Sequence, residues 1–493
     1  MNAAEPPLFR RMLRSWILRG VVIFLALVYG WFAFNEWRWE RKWEQYVAES
    51  RARGVKLYIG EFLPKEPIPD EENFAATPIW RQIFSVGNPD GSMSAKFKAI
   101  QAPRTKAGSG TAQPPPSAVD LPAWRASMVA AKKLTSAEDA LTDGAAVLRG
   151  LEFLKPELDE IRASVKRPKV RFPVKWEEGF SVRLPHYSTF QALARFLRLS
   201  AAAKLAEGDG DGAFDDWQTG WNLARKLDDE PSLIGSLVQM SAMHIAISTM
   251  KDALNQHRWT PGQLEASQEM LAATNLIRRA IHCVSSERAL LNASFEANIG
   301  KADMLAAYGG GITSPALDSV SQVVLKLRAR TRNWWRQNQL WMNRFTDEEL
   351  TFWDGDAELM ALRPRKFGVE NLSGFWVRMD LALVVYTAPI YSSTEKRFLH
   401  THATVRMAGL ACALERYRIA NARYPERLEE LVPQFIGKLP HDPCDGQPFR
   451  YRIVPEGYLL YSVGMDRKDD GGEVKGLRDA DSGPDWRWWP PER

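Results

Sequence analysis

The sequence predicts a mainly α-helical chain with an N-terminal transmembrane helix, a helical central domain and a small α+β domain at the C-terminus. Three observations carry that prediction. A charge-free run from Gly20 to Phe34 follows Arg10, Arg11, Arg14 and Arg19. From about residue 123 onward, apolar residues recur at helical spacing. After His400, turn clusters and short alternating segments take over.

The run from Gly20 to Phe34 is short for a bilayer helix, which needs ~20 residues. Trp16, Ile17 and Leu18 extend it if Arg19 snorkels toward the headgroups. Trp31, Trp37 and Trp39 supply an aromatic belt on the far side. Arginine excess on the N-terminal side predicts that this side stays in the cytoplasm. The lipid bilayer is thus an expected partner, through residues 16–34. A cleaved signal peptide would need small residues before the cut, where Trp31-Phe32 and Phe34-Asn35 are bulky. A buried core helix would not need the flanking arginines and tryptophans.

At 493 residues the chain exceeds one average domain. Its 45% hydrophobic and 25% charged residues are those of a globular protein. A net charge of +5 is small for this length, so nucleic acid is not an expected partner. Cys283, Cys412 and Cys444 have no metal-ligand spacing and define no disulfide framework.

The expected layout has a cytoplasmic tail and anchor at 1–36, then a juxtamembrane helix and extended segment at 37–86. Residues 87–122, rich in Gly, Ser, Ala and Pro, read as a flexible linker. A helical domain spans 123–394 and an α+β domain 395–493. Thr135-Ser-Ala-Glu138 has the form of a capping box, followed by Leu141, Ala145, Leu148 and Leu151. Val170 to Trp176 alternates and predicts extended chain. Leu193 to Leu254 predicts three successive helices, the third opening at Asp229-Glu-Pro231. Its helix, Gly-Asp turn and helix resemble a tetratricopeptide-type hairpin, which makes the central domain repeat-like. Thr260-Pro-Gly-Gln263 is a second capping box, opening a long helix toward Asn298. Further helices are expected over Ser319 to Phe345 and Glu395 to Ile419, with irregular chain around Gly355 to Gly374.

In the C-terminal block, Arg450 to Val454 and Tyr458 to Val463 predict a hairpin turning at Glu456-Gly457. An acidic, glycine-rich loop follows, Gly464 to Gly472. Tyr424-Pro425, Asp442-Pro443, Gly446, Tyr451, Tyr461-Ser462, Gly464, Asp466 and Gly471-Gly472 stand in a fixed order. In that order the last ~90 residues resemble the head domain of type II secretion pseudopilins, especially the major, G-type subunit. The resemblance implies a helix packed on a small antiparallel sheet and a calcium-binding loop. The pilin processing site before the apolar run is missing, and a long helical region separates anchor from head. Assembly into a filament by the pilin route is therefore not implied.

Calcium takes six to eight oxygens from flexible acidic loops. Asp466, Asp470, Asp479 and Asp481 are the candidate metal ligands, with Asp469 and Glu473 beside them. The alternative is a solvated acidic loop. Glu207 to Gly212 superficially follows an EF-hand, yet lacks its first and last ligands and reads as a hairpin turn. His244 lies on the stripe of Leu237, Met240 and Ile247 and reads as a core histidine. His400 and His402, two apart on a helix, do not face one another. Lys326 to Arg332 is the most basic helix, with an apolar stripe of Val320, Val323, Leu327, Trp334 and Trp341. A solvated basic face and contact with anionic headgroups both fit it. No nucleophile elbow, zinc-protease or P-loop motif occurs. The expected class is a non-enzymatic envelope scaffold binding other envelope proteins. The alternative is a membrane-anchored enzyme with a dispersed site. A cleft gathering Asp, Glu or His from distant segments would favour the enzyme, and a shallow concave helical surface the scaffold.

Overall fold

The computed structural model describes residues 16–85, 119–134, 140–301, 319–353, 379–455, 457–472 and 485–488. Helix α1, Trp16–Ala52, is one unbroken rod. Its 37 residues at about 1.5 Å each make about 55 Å, more than the ~30 Å of a bilayer core. Apolar residues from Val21 to Trp37 are exposed along it, Leu27 at 68% and Tyr29 at 76%. The part that includes Arg19–Ala52 is long and apolar enough to cross a membrane. Leu233–Asn255 meets the same test but is 72% buried, which makes it a core helix.

The second half of α1 docks on α12, Arg332–Trp353, which in turn packs on α10, Leu276–Asn298. Trp43, Tyr46, Leu57 and Leu340 form a small apolar cluster there. Glu40 accepts from Arg332 Nε at 3.0 Å and from Arg336 Nε at 3.0 Å. Tyr46 donates to Asp347 at 2.9 Å, and Arg288 reaches the other oxygen of that carboxylate at 2.8 Å.

Short helices α2, Pro78–Ile83, α3, Leu121–Ala130, α4, Asp143–Leu151, and α5, Lys155–Ser164, surround an aromatic nest. In it Trp80 stacks on Phe190 at 4.8 Å, and Phe172 meets Trp80 edge-on at 5.5 Å. The capping pattern at Thr135 to Glu138 lies outside the described residues. Thr142 caps α4 instead, accepting from Ala145 N. Of the expected linker, residues 119–122 are described, and Asp120 already caps α3. Residues 170–175 form no strand, and Trp176 opens a 3-10 turn, Trp176–Ser181. An isolated parallel bridge between Asn73 and Lys169 lies just before the segment.

The three expected helices are present as α6, His186–Ala206, α7, Gly210–Arg225, and α8, Leu233–Asn255. Asp209 caps α7 through Gly212 N, which makes Glu207 to Gly212 an interhelical turn. Helix α8 starts two residues beyond Pro231 because Ser232 is the cap, accepting from Gly235 N at 2.8 Å. Buried Asp216 ties the hairpin together, accepting from Arg162 and Lys204, each at 2.7 Å.

The long helix expected from Thr260 to Asn298 is two, α9, Pro261–Ala272, and α10. The capping box at Thr260 and Gln263 is formed. Asn275 caps a new start by accepting from Arg278 N, which breaks the run. The helix expected from Ser319 is likewise divided into α11, Ser319–Ala329, and α12. Thr331 Oγ1 and Trp335 Nε1 donate to the last carbonyls of α11, those of Arg328 and Ala329. The break alters the expected stripe: Trp334 is buried, whereas Val323 and Leu327 are exposed.

Helix α13 runs from Ala382 to Asn421, starting well before Glu395 and crossing the expected domain boundary without interruption. Met379, Leu381, Leu383 and Val384 pack on the Trp334, Trp335 and Met342 side of α12, and that burial outweighs the helix-breaking tendency of Pro389. Ala422 ends α13 in the left-handed conformation, φ 56°.

Strands β1, Arg450–Val454, β2, Gly457–Ser462, and β3, Trp486–Trp488, form an antiparallel sheet in that order. Tyr451 pairs with Leu460, and Leu460 with Trp488. Leu460, Val463, Trp486 and Trp488 join the core that includes Leu410 and Leu414 of α13. A helix thus lies on a small antiparallel sheet.

Candidate functional site

The expected metal loop lies beyond β2. Asp466 and Asp470 are both exposed there. Asp466 Oδ1 accepts from Lys468 N at 3.1 Å. Asp469 accepts from Tyr461 OH at 2.8 Å and from Gly471 N at 3.0 Å. Asp485 Oδ2 accepts from Gly472 N at 2.7 Å. Gly472 has φ +76°, and a Cβ there would come within 2.9 Å of Leu459 Cδ2, so only glycine fits. Asp479, Asp481 and Glu473 lie outside the described residues. Among the described residues no three His, Cys, Asp or Glu side chains gather as a metal site.

Behind that loop, Asp442 is fully buried and staples the C-terminal block. It accepts from Cys444 N at 2.9 Å, Ser462 Oγ at 2.8 Å and Val463 N at 2.9 Å.

A large concavity lies elsewhere. A cleft of about 1000 Å³ opens between residues 56–68, residues 168–177 and the α7–α8 connection. Phe62, Leu63, Ile68, Phe172, Val174 and Trp176 give it an apolar lining. Lys56, Lys169, Arg171 and Lys226 face Glu61, Glu66, Glu177, Asp228, Asp229 and Glu230 around it. The stretch from Pro64 to Pro67 forms one wall, held by Arg171 Nη1 on the carbonyl of Pro64.

Hydrogen bonds position the acids of this cleft. Glu230 Oε1 accepts from Tyr187 OH at 3.2 Å and lies 3.1 Å from His186 Nε2. Tyr187 OH lies 2.6 Å from Ser232 Oγ. Arg279 donates to the Glu230 carbonyl and to Gln239, each at 2.9 Å. Burial raises the Asp228 carboxyl above the usual range, and the Arg225 and Arg279 guanidiniums oppose it. Burial, helped by Arg279, lowers His282, whose Nε2 lies 3.2 Å from the Asp229 carbonyl. His282 therefore stays a neutral ring at neutral pH.

These groups do not assemble a hydrolytic relay. Ser232 Oγ faces Tyr187 and the Gly235 amide, not His186, so no base stands ready to activate it. Glu61 spends its carboxylate on the amides of Leu57 and Tyr58. At its surface the cleft presents Phe62 and Leu63 flanked by both signs of charge, with Phe172 and Trp176 buried in its wall.

A smaller cleft of about 410 Å³ lies between α9, α13 and residues 433–440. Arg416 spans it, reaching Glu265 at 2.8 Å, Gln268 at 2.9 Å and the Phe435 carbonyl at 3.1 Å.

Of the remaining sequence candidates, the cysteines are core groups and His244 lies against the core. His244 Nε2 lies 3.0 Å from Thr401 Oγ1, and its ring stacks on His400 at 5.4 Å. Cys283, Cys412 and Cys444 are buried thiols. In the basic helix, Arg328 pairs with Asp380 and Arg332 with Glu40.

Sequence reasoning missed the cleft. Its residues come from segments more than 200 positions apart, and Asp228-Asp-Glu230 reads locally as a helix start. Comparison with protein-family models, with curated proteins and with solved structures finds no match for the chain.

Proposed function

We propose that this chain is a membrane-anchored scaffold of the bacterial envelope. It crosses the inner membrane once, with its N-terminus in the cytoplasm and its bulk on the periplasmic side. The observation that carries the reading is the mounting of the anchor. Helix α1 leaves its exposed apolar stretch and passes without a hinge into the ion pairs of Glu40 with Arg332 and Arg336. A rod fixed in this way holds the body at a set height and orientation, as a docking platform requires. The cleft beside Trp176 and Arg171 is the surface offered to an envelope protein. The likeness of the C-terminal block to pseudopilin heads supports partners among secretion-type assemblies.

Affinity purification of the full chain from solubilised membranes tests this. Envelope proteins should co-purify with the wild type and be lost with Arg171→Glu, which reverses a charge at the exposed rim. Identical partners from both proteins would remove the cleft from the reading, and none from either would remove the scaffold.

One observation favours a membrane-anchored enzyme as a second reading. The cleft brings His282 beside the consecutive acids Asp228, Asp229 and Glu230. Turnover of chromogenic ester, phosphate, glycoside or peptide substrates that disappears in both Asp229→Ala and His282→Ala would establish it. Turnover unchanged in these variants, or none at all, would leave the scaffold.

A further inference from the structure

Helix α11 has one face that stands exposed, with none of the described residues burying it. Val323, Lys326, Leu327 and Arg330 follow at spacings of three, one and three, which puts them on one stripe. All four are exposed, Val323 and Leu327 each at 56%. On the opposite side Leu325 and Ala329 are buried against Trp334 and Trp335.

The height of this face above the anchor follows from α12. Arg332 and Arg336 meet Glu40, Leu340 packs with Trp43, and Asp347 meets Tyr46. Partners advance along both helices in the same direction, so α12 runs parallel to α1 and away from its apolar end. The corner between α11 and α12 is therefore the end of α12 nearer that apolar stretch. Arg328, paired with Asp380, brings the start of α13 to the same level. Glu40 stands three residues beyond Trp37, about 4.5 Å along the axis. The headgroup zone on each side of a bilayer core is about 5–7 Å deep.

We propose that α11 lies in the headgroup layer of the same bilayer that α1 crosses. Val323 and Leu327 enter the acyl boundary, and Lys326 and Arg330 reach anionic phosphates. The inference rests on the anchor reading and adds a second membrane contact to it. A short amphipathic helix with apolar and basic residues side by side is the composition that an anionic interface binds. Tethering by α1 supplies the effective concentration that so small a face lacks alone. Two contacts, one spanning and one lying flat, would stop the body from pivoting about the anchor.

The test uses the full chain in vesicles of phosphatidylethanolamine and phosphatidylglycerol. An environment-sensitive dye is placed at Val323→Cys or Leu327→Cys, with Leu27→Cys and Ile453→Cys as references. The native thiols are buried and stay unlabelled in the folded protein. Shallow spin-labelled lipid should quench positions 323 and 327 several-fold more than 453, and deep spin-labelled lipid should quench 27. Lys326→Glu with Arg330→Glu should weaken quenching at 327 and leave 27 unchanged. Quenching at 27 with none above the level of 453 at 323 and 327 overturns the inference alone. Dyes at 323 and 327 shielded from water yet unquenched by lipid also overturn it, because protein then covers the face. No lipid quenching at 27 removes the anchor reading itself.

Discussion

Two carboxyl groups, one fully buried and one half-buried, carry much of the molecule's local order, and each makes a different demand. Asp442 gathers two amides and a hydroxyl inside the C-terminal block. Each buried donor left unpaired costs about 1–3 kcal/mol, so Asp442→Ala should destabilise by roughly 3 kcal/mol or more. Denaturant unfolding measures this; a loss under ~1 kcal/mol would mean that water replaces the carboxylate. Glu287 is a different case. Burial pushes its carboxyl up to about 7, only partly offset by the Leu233 amide that it accepts. Below its ordinary value of 4.5 the folded and unfolded chains both hold the proton. As pH rises the unfolded chain releases it first, so stability is lost up to about pH 7 and stays lost above. The side chain keeps partial solvent access, which trims the effect to about 1–3 kcal/mol. Glu287→Gln should therefore raise the melting temperature at pH 8 and leave it nearly unchanged at pH 4. An equal effect at both pH values would rule out titration of this group. Asp442 stands in a turn cluster, Asp-Pro-Cys-Asp-Gly, that was legible in the sequence. Glu287 was not, because its environment depends on the Leu233 amide and on Tyr391, roughly a hundred residues away.

Elements were legible where a cap or turn announces itself within a few residues. The Thr260 capping box, the Asp209 turn and the hairpin of β1 and β2 are of that kind. Long apolar periodicity was a poorer guide to where helices stop. Asn275 and Thr331 interrupt it with single side-chain hydrogen bonds that leave the periodicity almost intact. Helix α13 errs in the other direction, continuing through Pro389 because α12 covers its first turns. The contact of α1 with α12 was invisible, since Glu40 and Arg336 are nearly three hundred residues apart. Their pairing invites a charge reversal. Burial raises the Glu40 carboxyl, but the guanidiniums of Arg332 and Arg336 outweigh it and hold it below the usual carboxylate range. Glu40→Lys would set an ammonium against two guanidiniums, one of them buried. It should cost about 2–4 kcal/mol, more than Glu40→Gln, which keeps a hydrogen-bond acceptor. Thermal melts in detergent would show the order. Equal melting temperatures for both variants and wild type would mean that α1 is held by Trp43 and Tyr46 alone.

At the scale of the whole chain, α1 and the acidic loop sit at opposite ends of the sequence and pose separate questions. Deleting residues 1–36 should turn a carbonate-resistant membrane protein into one released by salt. The proposed α11 contact is too small to hold it alone. Retention after carbonate would show that another segment anchors the body. On the loop from Gly464 to Asp481 two forces act in opposite senses. Asp469 and Asp485 are partly satisfied by Tyr461 OH and by the amides of Gly471 and Gly472, which favours a loop held without metal. Asp466 and Asp470 remain exposed, and close acidic groups repel one another until a cation relieves them. A calcium site of the extracellular class binds at ~0.1–1 mM, and saturation at ~100 times the dissociation constant adds about 2.7 kcal/mol. The C-terminal block of the full chain should therefore melt higher in calcium at tens of millimolar than in chelator. Asp466→Ala should erase that difference and leave the melt in chelator unchanged. Magnesium at the same concentration should not substitute, because it holds its waters more tightly and demands octahedral geometry. Melts that coincide in calcium and chelator would mean that the hydrogen bonds of Asp469 and Asp485 hold the loop unaided.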